Sequence, residues 1–252
     1  MSWSADFQKG LDAYNKDDFA TALLEWIPLA EQGDDNAQVF LGFVYEEGRG
    51  VPQDFETAIK WYRFSAKQEH ASAQYNLGRM YEKGDGVPQD YKAAVKWYRL
   101  AAEQGLADAQ YNLGGMYSKG NGIPQDFKSA VKWYRLAAKQ GDASAQYILG
   151  RMYEKGNGVP QHYNTALMWH RLAAEQGNVY AQNSLGFMYA HGGGVLKDFV
   201  YAHMWYNIAV MSGESKNASK NRDIVAKRMN SNQIEKAQEL AHECVRKTYK
   251  EC

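Results

Sequence analysis

Cysteine is nearly absent. The 252-residue chain has two, Cys244 and Cys252, both near its C-terminal end, so the body of the chain is not stapled and a disulfide scaffold is excluded. Neither sign of charge predominates, because Lys plus Arg and Asp plus Glu number 29 each. Without a basic excess there is no long-range field to hold a phosphate backbone or an anionic membrane, and nucleic acid is not an expected partner. No stretch approaches the roughly 20 apolar residues that span a bilayer, so no membrane insertion is expected and the chain reads as soluble. The opening MSWSADFQKG has neither a basic start nor an apolar run. A leader removed ahead of Ala5 stays open, and with it the choice between the cytoplasm and a periplasmic or secreted location.

What the chain does have is a period. Trp61, Trp97, Trp133, Trp169 and Trp205 recur every 36 residues, and Gly42, Gly78, Gly114, Gly150 and Gly186 keep the same register. A fixed period of this size marks a solenoid of stacked units whose core grows by repetition, so one continuous array is expected rather than two domains. Binding, not catalysis, is the first expectation for such an array.

One copy, AQYNLGRMYEKGDGVPQDYKAAVKWYRLAAEQG from Ala73 to Gly105, divides into two helical patterns around GDGVPQ. In the first, Ala73, Leu77, Met80 and Tyr81 share one face. Gly84 and Gly86 end that helix, Pro88 blocks its continuation, and Asp90 is placed to cap the second helix. Tyr91, Ala94, Val95, Tyr98 and Ala102 form the buried stripe of the second helix, with Trp97 and Leu100 on the flank that joins neighbouring repeats. Small residues such as Gly78 let the helices approach closely.

The register also marks the ends. Residues 4–33 read as a shorter hairpin with a tight turn, and two amphipathic helices near 215–228 and 230–247 read as a cap. Asn230 and Gln233 have capping-box spacing, with Met229 and Ile234 as the matching hydrophobic staple. Cys244 continues the apolar series of Ile234, Ala237 and Ala241 and is expected to be a buried thiol. A bridge to Cys252 would require the tail to bend back, since eight residues of helix span about 12 Å.

The pattern AQxxLGxMYxxGxGVPQDxxxAxxWYRLAAEQG resembles the Sel-one-like repeat family, a branch of the tetratricopeptide-like α-solenoids. The resemblance covers about residues 37–213 in five copies (37–72, 73–108, 109–144, 145–180 and 181–213). They follow a tetratricopeptide-like hairpin over 1–36 and precede a two-helix cap over 214–252. It implies an all-α, right-handed superhelix of about fourteen helices, acting as an adaptor for a protein or peptide partner. A cysteine-rich bacterial branch of the family is linked to β-lactam binding and hydrolysis, but no cysteine lies inside any repeat here.

By the same resemblance, the first helices line the concave surface. The positions opposite their core then form a candidate protein-binding ladder: Val39, Tyr75, Tyr111, Tyr147 and Asn183, with Phe43, Arg79, Gly115, Arg151 and Phe187 one turn on. Glu82, Ser118 and Glu154 extend it. Three tyrosines beside arginines suit an extended peptide or a helix, because Tyr and Arg give large, oriented contact area. The alternative is that these tyrosines pack sideways and stiffen the array. Gly115 and Ser118 leave the middle less crowded and less charged.

Catalytic signals are thin. His162, His170, His191 and His203 take different places in the repeat and share no face, so no metal or other cofactor is expected. Glu46, Glu47 and Glu82 read as solvated surface charges. The linker glycines read as caps, without P-loop or dinucleotide spacing. No nucleophile elbow is present. Glu69 occupies a position that is glycine in the other copies and would be strained if left-handed. Gly192, Gly193 and Gly194, with Leu196 in place of proline, should form the most flexible linker.

Overall fold

The computed structural model describes residues 5–213, 216–250 and 252. Among these the chain is all-α, with fourteen helices in two compact units divided along the sequence between Gln125 and Asp126. The first unit holds α1 (Phe7–Tyr14), α2 (Phe19–Glu31), α3 (Asp35–Glu47), α4 (Phe55–Lys67), α5 (Ala71–Lys83), α6 (Tyr91–Glu103) and α7 (Ala107–Lys119). The second holds α8 (Phe127–Lys139), α9 (Ala143–Lys155), α10 (Tyr163–Glu175), α11 (Val179–His191), α12 (Phe199–Met211), α13 (Lys216–Ala226) and α14 (Ser231–Arg246).

Each linker stops one helix and starts the next by the expected chemistry. Gly84 caps α5 in the left-handed region, φ 85°, and its N–H returns to the Met80 carbonyl. Asp90 then accepts from the backbone N–H groups of Lys92 and Ala93 at the start of α6. His162 fills the same role for α10 through Nδ1, which accepts from Thr165 N–H. The second linker glycine is more than a cap: a Cβ on Gly86 would stand 2.6 Å from Phe55 Cβ, and one on Gly122 would stand 2.3 Å from the Tyr91 carbonyl. It lets the linker lie flat on the start of the preceding second helix.

Within a hairpin the repeat glycine accepts an aromatic ring. A Cβ on Gly42 would lie 2.5 Å from the Tyr62 ring, and one on Gly78 the same distance from Tyr98. Around these contacts Ala73, Leu77, Met80, Ala94 and Tyr98 are buried, and burying a side chain the size of Leu77 contributes about 1.5–3 kcal/mol. Tyr81 is half-buried instead, because its hydroxyl accepts from Arg63 of the previous second helix at 2.8 Å. Arg99 and Tyr117, and in the second unit Arg135 and Tyr153, repeat this link.

The tryptophans join repeats, as their flank position implied. Trp97 packs on a cluster that joins Ala58 and Tyr62 of the preceding hairpin to Leu77 of its own. Leu100 does not share this work; it is exposed, as are Leu136 and Leu172 in its register, while Ala101, four residues after Trp97, is the buried neighbour. One turn of helix separates Trp97 from Ala101, whereas Leu100 is rotated about 60° outward from Trp97.

At the C-terminal end the Asn230–Gln233 capping box is formed, and Met229 packs on Ala190, Ala202, Tyr206 and Val225. The expected free thiol is corrected: Cys244 is buried, but it is bridged to Cys252. The helix ends at Arg246, and Thr248 and Tyr249 take left-handed φ values of 52° and 65°, so the chain reverses and brings the two Cα atoms to 5.4 Å. Tyr249 then packs against Ser212 and the Trp205 cluster, and Trp205 is 1% exposed, unlike its half-buried counterparts.

Candidate functional site

The first-helix positions singled out in the sequence divide into three groups. Val39 and Phe43 serve packing: Val39 lies against the Ala58–Tyr62 cluster, and Phe43 meets Tyr14 edge-on at 6.4 Å with Arg49 over its ring. The second group lies at Tyr75 and Arg79. The Tyr75 ring rests 5.8 Å from that of Tyr98, and Arg79 lies over Tyr75 while donating to Glu46 at 3.2 Å. Tyr111, Gly115 and Ser118 are half-buried on α7, and the Ser118 carbonyl accepts from Gln125.

Glu46 is not the solvated acid expected from its helix face. It is buried, accepts from the Tyr62 hydroxyl at 2.8 Å and pairs with Arg79. Glu82 is half-buried and accepts from Tyr98 in the same way, while Glu47 is exposed. The physical reason is reach: the carboxylate four residues after the repeat glycine arrives beside the second helix's tyrosine, which that glycine has admitted. Burial, with the carboxylate nearby, pushes the Tyr62 and Tyr98 phenols well above the usual range. They therefore stay protonated as donors, and the pairs hold the hairpin together.

The third group surrounds an open cavity of about 190 Å³ in the second unit. Tyr147, Arg151, Glu154, Asn183 and Phe187 all line it, joined by Tyr180 and Ser184. Tyr147 lies between the His170 and Tyr180 rings at 5.7 Å from each, and its hydroxyl accepts from Arg151 at 2.9 Å. Asn183 accepts from Asn221 of α13 at 3.4 Å. Phe187 stacks on His191 at 4.1 Å and is 46% exposed, while Tyr180 is 60% exposed. The tyrosines at these positions thus both brace the second helix and border open surface.

Sequence reasoning missed Tyr180, although the register carried a signal. Its column otherwise holds Asn36, Ser72, Asp108 and Ser144, so one aromatic appears among small polar residues. Ser184 and Asn221 had no such signal, since Ser184 lines the cavity beside α9 and Asn221 bonds Asn183 where α13 meets α11.

Among the described residues no three His, Cys, Asp or Glu side chains gather as metal ligands, and no helix is long and apolar enough to cross a membrane. His203 is buried, and that burial lowers its pKa.

The fold and its repeats have clear relatives. A family model described as Sel1 repeat matches residues 35–70, 71–106, 107–142, 143–178 and 179–214. A protective antigen of uropathogenic Escherichia coli strains, solved with an SLR fold, is 34% identical over 94% of this chain, with a TM-score of 0.87. The chain spans 53% of that protein's length. A Sel1 repeat protein from Oxalobacter formigenes is 33% identical over 94% of this chain and 99% of its own, with a TM-score of 0.83. No curated protein matches. Sel1 repeats generally mediate protein interactions, and Sel1 repeat proteins are generally non-catalytic scaffolds. Five consecutive repeat matches and two such structural relatives identify the chain as a member of the Sel1 repeat family.

Proposed function

We propose that the protein is a non-catalytic interaction scaffold that captures a peptide or partner protein on the outward positions of its first helices. The observation that carries this reading is the cavity of the second unit, where five ladder positions converge and Tyr180 and Phe187 stand exposed beside Arg151. Aromatic and arginine side chains grouped in this way supply much of the binding energy at protein interfaces. The Cys244–Cys252 bridge favours an oxidising compartment outside the cytoplasm.

The test is affinity capture with crosslinking in cells, wild type against the triple variant Tyr75→Ala, Tyr111→Ala, Tyr147→Ala. Loss of the captured partner with retained helicity supports the reading. Undiminished capture by the folded variant would favour a purely architectural role through other faces. Hydrolysis of a β-lactam by the purified protein would instead favour the enzymatic branch of the family.

A further inference from the structure

In the first unit Arg79 is neutralised by Glu46, which stands 33 residues before it. Thirty-three residues before Arg151 the sequence has Ser118, which carries no carboxylate. Among the described residues Arg151 makes no ion pair; its guanidinium lies over the Tyr147 ring, with one nitrogen donating to the Tyr147 hydroxyl. The acid of the cavity, Glu154, faces inward, with Oε2 3.6 Å from buried His170. Arg151 therefore keeps its remaining donors for a ligand, while its charge also acts on Glu154 three residues on.

A second observation lies beside it. The Asn221–Asn183 bond ties α13 to the cavity wall, and residues 216–228 hold five basic side chains (Lys216, Lys220, Arg222, Lys227 and Arg228) against one acid, Asp223. In a chain of zero net charge this is a local concentration, and the exposed Lys216 and Lys220 border a separate open concavity along α13 with Asp223 and Lys227. Such a cluster steers a charged ligand over about 10 Å before salt screens it.

Resting on the proposed scaffold role, we infer that the second unit takes an acidic peptide segment carrying aromatic or bulky apolar side chains. The apolar side chain enters between Tyr180 and Phe187, and the carboxylates face Arg151 and the lysines of α13. The aromatics supply contact area, and the cations select the sign of the partner and speed its encounter.

Two fluorescein-labelled peptides test this on the full chain by anisotropy, one of alternating aspartate and phenylalanine and one of alternating lysine and phenylalanine. The acidic peptide is expected to bind at least about tenfold more tightly, and more weakly as salt is raised. The exposed-site variant Tyr180→Ala, Phe187→Ala should weaken it about tenfold or more. Arg151→Gln, and separately Lys216→Gln with Lys220→Gln, should abolish the preference for the acidic peptide while circular dichroism stays as in wild type. Equal binding of the two peptides, or acidic binding unchanged in all these variants, overturns the inference. So does a single-stranded oligothymidine that binds as tightly as the acidic peptide, since that assigns the patch to nucleic acid. If neither peptide binds, the acidic class fails. The scaffold reading then stands or falls separately, on whether crosslinked capture is lost in the triple tyrosine variant.

Discussion

His170 Nε2 stands 3.6 Å from Glu154 Oε2, in the place where two earlier hairpins join a tyrosine hydroxyl directly to a glutamate. The imidazole is shorter than a phenol, so the carboxylate is approached without a hydrogen bond, and both buried ring nitrogens lack a hydrogen-bond partner.

His170→Tyr should restore the hydroxyl–carboxylate bond. The net gain of one such bond is about 1 kcal/mol, or roughly 2–4 °C in Tm for a protein of this size. The Gly150 gap already receives the His170 ring as Gly78 receives that of Tyr98. The imidazole beside Glu154 holds its carboxyl below the ordinary 4.5. Because the folded pKa is depressed, the stability that Glu154 contributes is present above about 4.5 and is lost as pH falls through the folded value. Thermal melts against pH should therefore show a shallower acid decline in Glu154→Gln than in wild type. An unchanged acid limb would show that the pair does not act on stability.

Glu69 has φ 65°, a left-handed backbone that Gly33, Gly105, Gly141, Gly177 and Gly213 adopt in the other copies. A side chain in that region costs about 1 kcal/mol, so Glu69→Gly should raise Tm by roughly 2–4 °C. The gain from relieving the Cβ clash is opposed by glycine's larger unfolded-state entropy. A fall in Tm on differential scanning calorimetry would mean that the entropy outweighs the strain.

The Cys244–Cys252 bridge closes a short loop that seats Tyr249 and covers the Trp205 cluster. Cys252→Ser should lower stability by about 2–3 kcal/mol in the chain-entropy view. It should also loosen the chain after Arg246 first. Tryptophan emission is the check, because wetting of Trp205 shifts it to the red before the main transition. A variant whose emission and melt match wild type would show that the tail stays docked without the bridge.

The helices, their caps and the 36-residue register were legible in the sequence because each depends on residues a few positions apart. Asp90 caps α6, Gly84 ends α5, and Glu69 is left-handed because backbone geometry at a turn is a local matter. Glu46 was misread for the complementary reason. A helical wheel records only direction from its own axis, and Glu46 is buried by Tyr62 from one helix and Arg79 from another. The candidate ladder was legible as a set of positions, while its division into packing residues at Val39 and Phe43 and a cavity at Tyr147, Arg151, Asn183 and Phe187 was not.

The sequence alone determined the repeat, the hairpin and the family, since periodic burial and turn chemistry are written into each copy. Tertiary structure decided which carboxylates are buried, that the tail reverses to bridge Cys244, that Tyr180 joins the second unit's cavity, and that α13 bonds to Asn183 in its wall. These features arise where side chains from different helices meet, and the geometry of that meeting is set by packing rather than by any one segment.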